Sequence, residues 1–405
     1  MMSQERGAIL RRRTKDDLPD ETVLDILARL PVKSLLRFRC VCKPWYSSIA
    51  NPNFLSTHVP NHNHQCGYVI HIPRNIPQPS SSIPGSSRSS GQVCTLACDR
   101  TYETIFDFRF PFTHQSGFPH FVGSCNGILC FSYNTAAWSN VFYLWNPSIR
   151  KFKRLPDNQL PIMTFGIGCD SQNNDFKVVG IPQAFAKTKP PPEVGVYSLS
   201  SDSWKRVELG IELRPTVCYY TVNNSTALPF VCGHLHWILK IVEDVGGHAR
   251  LSADMLLSFD VNSEKLKQLP LPDVEGSCFM KFVTSLKGKL ALIEYKSDAQ
   301  PYSTPCSIWE MREYGVIDSW NKLYVLSIEN LLDFIGFTNY GLLLVQKGSW
   351  LVSTNSKLEW KYKYLLIDLE TLHEKELSTQ VNYHLEVATY MESLALLDGR
   401  NVVSY

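Results

Sequence analysis

Apolar positions in the first fifty-five residues recur with a helical period, and proline cuts them into short pieces. Val23, Ile26, Leu27 and Leu30 fall at i, i+3, i+4 and i+7 and form one stripe. Pro19, Asp20 and Glu21 precede it, placing a preset φ and two carboxylates where a helix's free N–H groups and positive dipole end lie. Pro31 ends it, because proline lacks an N–H and pushes its predecessor out of the α region. A second helix is predicted from Val32 to about Val41, with Leu35, Leu36, Phe38 and Val41 apolar and Lys33, Arg37 and Arg39 polar. Pro44 suits the first turn of a third helix carrying Trp45 and Ile49, and "NPNF" at 51–54 closes it. Helices this short are marginal alone, and a unit of about 40 residues is below the size that usually folds unaided. Leu, Val, Cys and Trp fall on more than one face, so a partner protein is expected to cover them.

Farther along the chain the period changes from helical to two. "FYLWNPSIRKFKRLP" from Phe142, "GVYSLSSDSWKRVEL" from Gly195 and "LLSFDVNSEKLKQLP" from Leu256 each run apolar, turn through Asn, Asp, Ser or Pro, and run apolar again. "SIWEMREYGVIDSWNKL" from Ser307 and "YLLIDLETLHEKEL" from Tyr364 repeat the plan. Between them lie hairpins that turn at Asn126-Gly127, near Gly233, at Lys287-Gly288 and at Tyr340-Gly341. Anchor positions Trp145, Tyr197, Phe259, Trp309 and Ile367 recur about every fifty to sixty residues, which predicts four-stranded propeller blades of kelch-like length. Five blades can be written, at 119–158, 160–210, 227–272, 279–326 and 334–379. A sixth is expected where "LEVATY" near the C-terminus joins "GYVIHI" and "VCTLACD" near residues 67–99, which closes the ring and removes exposed sheet edges. Residues 73–92, rich in Pro and Ser, have almost nothing to bury and are expected to be a disordered insertion.

Composition narrows the function classes. With 44% hydrophobic and 19% charged residues, the chain is globular. Residues 1–60 hold ten Lys/Arg against six Asp/Glu, so the remainder, given a formal net charge of +2, is close to neutral and lacks the basic footprint of nucleic-acid binding. Residues 1–15, with "RRRTK", read as a flexible basic tail. No apolar run reaches the length of a membrane span, and the N-terminus is polar, so a cytoplasmic or nuclear protein with its twelve cysteines as thiols is expected. His58, His62, His64 and Cys66 lack a second ligand group, and His234 and His236 lack a third ligand, so no metal and no cofactor are expected. G-x-S-x-G, P-loop, G-x-G-x-x-G and H-E-x-x-H patterns are absent, and Glu310 and Glu313 do not share a strand face, so catalysis is not expected.

"LPDETVLDILARLPVKSLLRFRCVCKPWYSSIANPNF" resembles an F-box. The resemblance rests on the opening Leu-Pro, the Ile-Leu pair followed by Leu-Pro, the "VKSLLRFRCVCKPW" core and the Pro-x-Phe tail. It implies docking onto the adaptor subunit of an SCF-type cullin–RING ubiquitin ligase, and through it contact with cullin and RING subunits. Carried over by position, the adaptor-binding candidates are Leu18, Pro19, Ile26, Leu27, Leu30, Pro31, Leu35, Leu36, Val41, Cys42 and Trp45. Val23, Phe38 and Ile49 are the candidates for packing among the helices. "GSCNGILCF", "LWNPSIRKFKRLP", "FGIGCDSQNNDFKVVGI" and "VYSLSSDSWKRV" resemble the F-box-associated interaction domain of plant F-box proteins, which implies capture of an unknown target protein by a propeller-like domain. The fold class expected is α+β multidomain: a three-helix F-box at 16–60, then an all-β, kelch-like propeller of six blades at 66–405. The function expected is substrate recognition for the ligase. Two other readings are a propeller that binds a small molecule or glycan through Trp204, Trp237 and Trp320, and an F-box scaffold outside ubiquitin transfer.

Overall fold

The computed structural model describes residues 18–51, 53–54, 58, 68–74, 93–99, 101–112, 119–134, 140–158, 163–186, 191–214, 217–221, 227–245, 248–272, 279–296, 303–352, 358–377, 384–396 and 401–405. The basic tail at 1–15, residues 75–92 of the insertion and His62, His64 and Cys66 lie outside them, whereas Pro73 and Arg74, expected to begin the insertion at 73–92, are the end of a paired strand instead. Three helices come first: α1 (Asp20–Ala28), α2 (Val32–Phe38) and α3 (Lys43–Ile49). Pro19 and Pro31 cap α1 and α2 in extended conformation, at ψ 142° and 148°, where a missing N–H costs nothing. α2 is shorter than its apolar pattern. The N–H groups of Cys40 and Val41 turn back to the carbonyls of Arg37 and Phe38, a tightened last turn that leaves Val41 exposed.

The rest is strand. β1 (Tyr68–Arg74), β2 (Val93–Cys98) and β3 (Thr104–Arg109) come before the first complete blade. Blade 1 is β4 (His120–Cys125), β5 (Ile128–Asn134), β6 (Asn140–Asn146) and β7 (Lys151–Arg154). Blade 2 is β8 (Met163–Asp170), β9 (Asp175–Pro182), β11 (Glu193–Ser198) and β12 (Ser203–Glu208), with a short β10 (Ala184–Ala186) leaving it for the next blade. Blade 3 holds β13 (Val217–Thr221), β14 (Phe230–Val231), β15 (His234–Val245), β16 (His248–Asp260) and β17 (Lys265–Leu269). Blade 4 is β18 (Phe279–Leu286), β19 (Lys289–Lys296), β20 (Ser303–Met311) and β21 (Trp320–Glu329). Blade 5 is β22 (Leu331–Phe337), β23 (Leu343–Val352), β24 (Leu358–Ile367) and β25 (Glu374–Glu376). β26 (His384–Tyr390) then pairs with β1 from Tyr68↔Tyr390 to Arg74↔His384, making the sixth sheet, β26-β1-β2-β3. The ring of six blades is therefore closed by one C-terminal strand on three N-terminal ones, as the leftover half-repeats predict. Finally β27 (Val403–Ser404) adds to the outer edge of blade 1, with Val403 opposite Phe152.

Blade 3 departs from its expected start at residue 227. Its inner strand comes in two pieces: β13 pairs with Leu239–Glu243 of β15, and β14 pairs with His234–Leu235. Residues 222–229 lie between the pieces, and an insertion inside a strand breaks the period-2 pattern that would have marked it.

The turn between the third and fourth strands is shared. Trp145 lies opposite Phe152, Tyr197 opposite Trp204, Phe259 opposite Leu266, and Ile367 opposite Glu374, each pair seven apart in sequence. Ala97 opposite Thr104 repeats the offset in the closing blade. The fifth residue after each anchor, Arg150, Asp202, Glu264, Leu372 or Tyr102, is left-handed at φ 52–57°. Asn146, Asp260 and Asp368 follow their anchors and accept the backbone N–H two residues on, which bends the chain into that turn.

Charged side chains tie neighbouring blades. Lys153 of blade 1 meets Asp202 in the blade 2 turn at 2.8 Å. Lys177 of blade 2 bonds Asp170, the Val261 carbonyl and Glu264 at 2.7, 2.8 and 3.0 Å, the last two in the blade 3 turn. Gly168 lies where blade 2 comes close to blade 3; a Cβ there would lie 2.8 Å from the Phe230 ring and the Val261 methyl.

The helices do not stand apart. Leu27, Ala28, Val32, Leu35 and Ile49 belong to one buried cluster with Val122, Ile149, Leu394 and Leu396 of the β domain. α2 sits on the one-turn 3-10 helix Pro147–Ile149 that ends β6. The expectation that a partner covers all the apolar faces is corrected here: blade 1 and the C-terminal segment cover part of them.

Candidate functional site

Two surfaces are available, and the antiparallel strands decide what each carries. Within a blade the first-to-second and third-to-fourth turns lie on one face of the ring, and the remaining connections lie on the other. α2 packs on a turn of the first kind, so the helices sit at that end. Among the described residues most of those turns are tight, as at Asn126-Gly127, Lys287-Gly288 and the shared third-to-fourth-strand turns above, while the one in blade 4, at 312–319, is longer.

On the helical module the eleven adaptor candidates separate by burial. Leu27 is 3% exposed and Leu35 is fully buried, so both are core residues that anchor the helices. Of the eleven, these two present almost no exposed surface in this conformation. Leu18, Ile26 and Val41 point outward, at 57%, 47% and 64% exposed, and Pro19, Pro31 and Cys42 are exposed beside them. Leu30, Leu36 and Trp45 are half-buried against the same core. The division follows helix geometry: in α1, Leu27 and Ala28 turn inward, so the neighbouring Ile26 must turn out. Phe38 meets Trp45 edge-to-face at 5.5 Å, which fixes α2 against α3, and Val23 and Ile49 pack inward as well. His58 reaches back to the Leu30 carbonyl at 2.9 Å and stacks on Phe54. The Arg39 guanidinium lies 4.1 Å above the Tyr46 ring, and Lys33, Arg37 and Lys43 are exposed, so basic groups edge the outward apolar set.

On the β domain, Trp237 is 1% exposed and belongs to the core. Trp204 and Trp320 donate their indole N–H groups to the carbonyls of Pro156 and Pro270, each at 2.9 Å. All three are engaged inside or between blades, so they do not form the aromatic mouth of a glycan site. His236 is buried and committed at both nitrogens, to the Pro229 carbonyl and the Tyr314 hydroxyl, while His234 bonds the Cys232 carbonyl. Glu310 pairs with Lys289 at 2.8 Å. A cavity of about 320 Å³ lies at the centre of the ring, with the uncharged hydroxyls of Ser124, Thr284, Ser285 and Thr389 in its wall. A larger cleft of about 470 Å³ lies between blades 2 and 3. Sequence reasoning missed it because its wall combines six separate strands. No helix among the described residues is long and apolar enough to cross a membrane.

A closed six-bladed ring bearing a three-helix module, with apolar residues turned both inward and outward, defines a β-propeller that carries a docking element. Comparison with known proteins agrees. Residues 16–57 match the F-box domain and residues 83–382 match the F-box associated beta propeller domain; the chain belongs to this F-box family. It is 28% identical to the Arabidopsis thaliana F-box/kelch-repeat protein At3g23880 over 79% of this chain and 81% of that protein. It is 26% identical to the Arabidopsis F-box protein CPR1, covering 89% and 84% of the two chains.

Proposed function

We propose that the chain is the substrate-recognition subunit of an SCF-type cullin–RING ubiquitin ligase, acting in the cytoplasm or nucleus. Family membership supports the class, and F-box proteins are typically non-catalytic adaptors. The observation that carries the reading is the two-sided helical module: Leu27, Leu35 and Ile49 fasten it to blade 1, while Leu18, Ile26 and Val41 stay uncovered. The adaptor subunit covers Leu18, Pro19, Ile26, Pro31, Val41 and Cys42, with Leu30, Leu36 and Trp45 at the edge of the contact. Cullin and RING subunits follow through the adaptor, and the ring holds the target protein. The chain supplies position and specificity, and other subunits supply the chemistry.

Ile26→Asp with Val41→Asp tests this. Both sites are exposed, so the fold tolerates the change, whereas a carboxylate buried unpaired in the complex costs several kcal/mol. Adaptor pull-down by the double variant is expected to fall at least a hundredfold with an unchanged melting midpoint. Adaptor binding at the wild-type level would reject this face.

A further inference from the structure

The cleft between blades 2 and 3 has an unusual floor. β10 leaves blade 2 and pairs with β13, the inner strand of blade 3, with Ala184 opposite Tyr220 and Ala186 opposite Cys218. The Thr221 N–H bonds the Gln183 carbonyl at 2.9 Å, which makes Gln183–Thr221 and Phe185–Tyr219 the hydrogen-bonded pairs of this ladder. The N–H and C=O groups of Ala184 and Ala186 therefore point the other way. β10 is the last strand of its sheet, so among the described residues that edge is unpaired.

The side chains of Ala184, Ala186, Cys218 and Tyr220 lie on one face and line the cleft. Phe185 alternates to the opposite face, where it stacks on Tyr219 with ring centroids 5.4 Å apart and holds β10 in place. Met163, Pro182 and Pro191 make apolar walls. Among the described residues, the two charges in the lining, Arg206 and Glu193, meet each other at 3.2 Å and offset one another. The cleft opens at the start of β8 and the end of β9, the face of the ring opposite the turn on which α2 sits.

We infer that the target protein docks here as an extended, uncharged apolar segment that adds a strand to the free edge of β10. Backbone donors and acceptors along an edge select another backbone in β conformation. The small side chains of Ala184 and Ala186 leave space for larger ones from the added strand. Charge matching agrees, because a neutral lining would strip the hydration from a charged segment without pairing it. That the occupant is the ligase target rests on the function proposed above; the strand-accepting cleft does not.

The test pans a displayed library of random dodecapeptides against the full chain, then measures the best binder as a fluorescent synthetic peptide. Enriched peptides are expected to carry uncharged apolar residues two apart. Ala184→Pro removes one outward N–H without touching the β10–β13 bonds and should weaken binding at least tenfold. Ala186→Trp fills the cleft and should do the same, as should N-methylation of alternate amides in the peptide. If Ala184→Pro fails to melt like wild type, the other two decide. Absence of enrichment, or peptides indifferent to these changes, would overturn the inference. A wild-type dimer that Ala184→Pro dissociates would assign the edge to a second copy and overturn it too. Adaptor pull-down on the same samples keeps the two claims apart: its loss would reject the receptor function and leave the cleft standing.

Discussion

His236 shows how a single residue's chemistry is decided by what surrounds it. Its Nδ1 lies 3.2 Å from the Pro229 carbonyl, which can only accept, so Nδ1 carries the proton. Nε2 is then bare and accepts from the Tyr314 hydroxyl at 2.8 Å, which in turn accepts from Ser258 at 2.6 Å. Burial pushes the imidazole down to about 3, against the opposing pull of the Pro229 carbonyl, and pushes Tyr314 up to about 12. Because the folded value lies below the ordinary 6.5, only the unfolded chain gains this proton between those limits. The contribution of neutral His236 is complete above about pH 6.5 and is lost as pH falls toward 3, with a slope approaching about 1.4 kcal/mol per pH unit. The drop in urea midpoint from pH 7 to pH 4.5 should therefore be larger for wild type than for His236→Gln. Equal drops would show that the imidazole titrates normally. The pair of histidines two apart is visible in the sequence, but the role of His236 is not, since Tyr314 comes from the next blade.

At the scale of elements, the third-to-fourth-strand turn repeats in five blades because an anchor and a left-handed residue recur at fixed offsets, with an Asn or Asp cap directly after the anchor in three of them. Anchors and turns were legible in the sequence: Trp145, Tyr197, Phe259 and Ile367 each end an apolar run immediately before the turn. In blade 4 the turn is longer and contains a second 3-10 helix, Ile317–Ser319, so Trp309 is opposite Lys322 and the spacing fails. Leu372 is 60% exposed at φ 57°, a conformation that costs a branched side chain about 1 kcal/mol and suits asparagine better. Leu372→Asn should raise the denaturation midpoint by roughly 0.5 kcal/mol equivalent; a lowered midpoint would mean the leucine makes a contact worth more than the strain. Less legible was which way each helix faces. Leu27 and Ile26 are adjacent and equally apolar, and periodicity alone does not say which one meets blade 1. Ile149, at the end of β6, settles it by offering an apolar seat under α2.

Over the whole molecule, the C-terminal segment serves both closure and attachment. β26 completes the sixth blade; Asn146 then donates to the carbonyls of Ser393 and Ala395, both at 2.9 Å, and the Trp145 indole donates to the Tyr405 hydroxyl at 3.0 Å. Leu394 and Leu396 join the cluster that seats the helices. Removing residues 384–405 should consequently unfold or aggregate the ring and free the helices together, because it bares β1 and the seat at once. A soluble, cooperatively melting remainder would contradict shared-blade closure. The fold places the helices on one face of the ring and the strand-edged cleft on the other, which is the separation a receptor needs to hold an adaptor and a target at the same time. The most direct test compares, in cells, the proteins bound by wild type and by Ile26→Asp, Val41→Asp, and quantifies ubiquitin remnants on those same proteins. Both forms should bind a shared set whose ubiquitination falls when the double variant replaces wild type. A bound set whose ubiquitination is the same with either form would contradict it.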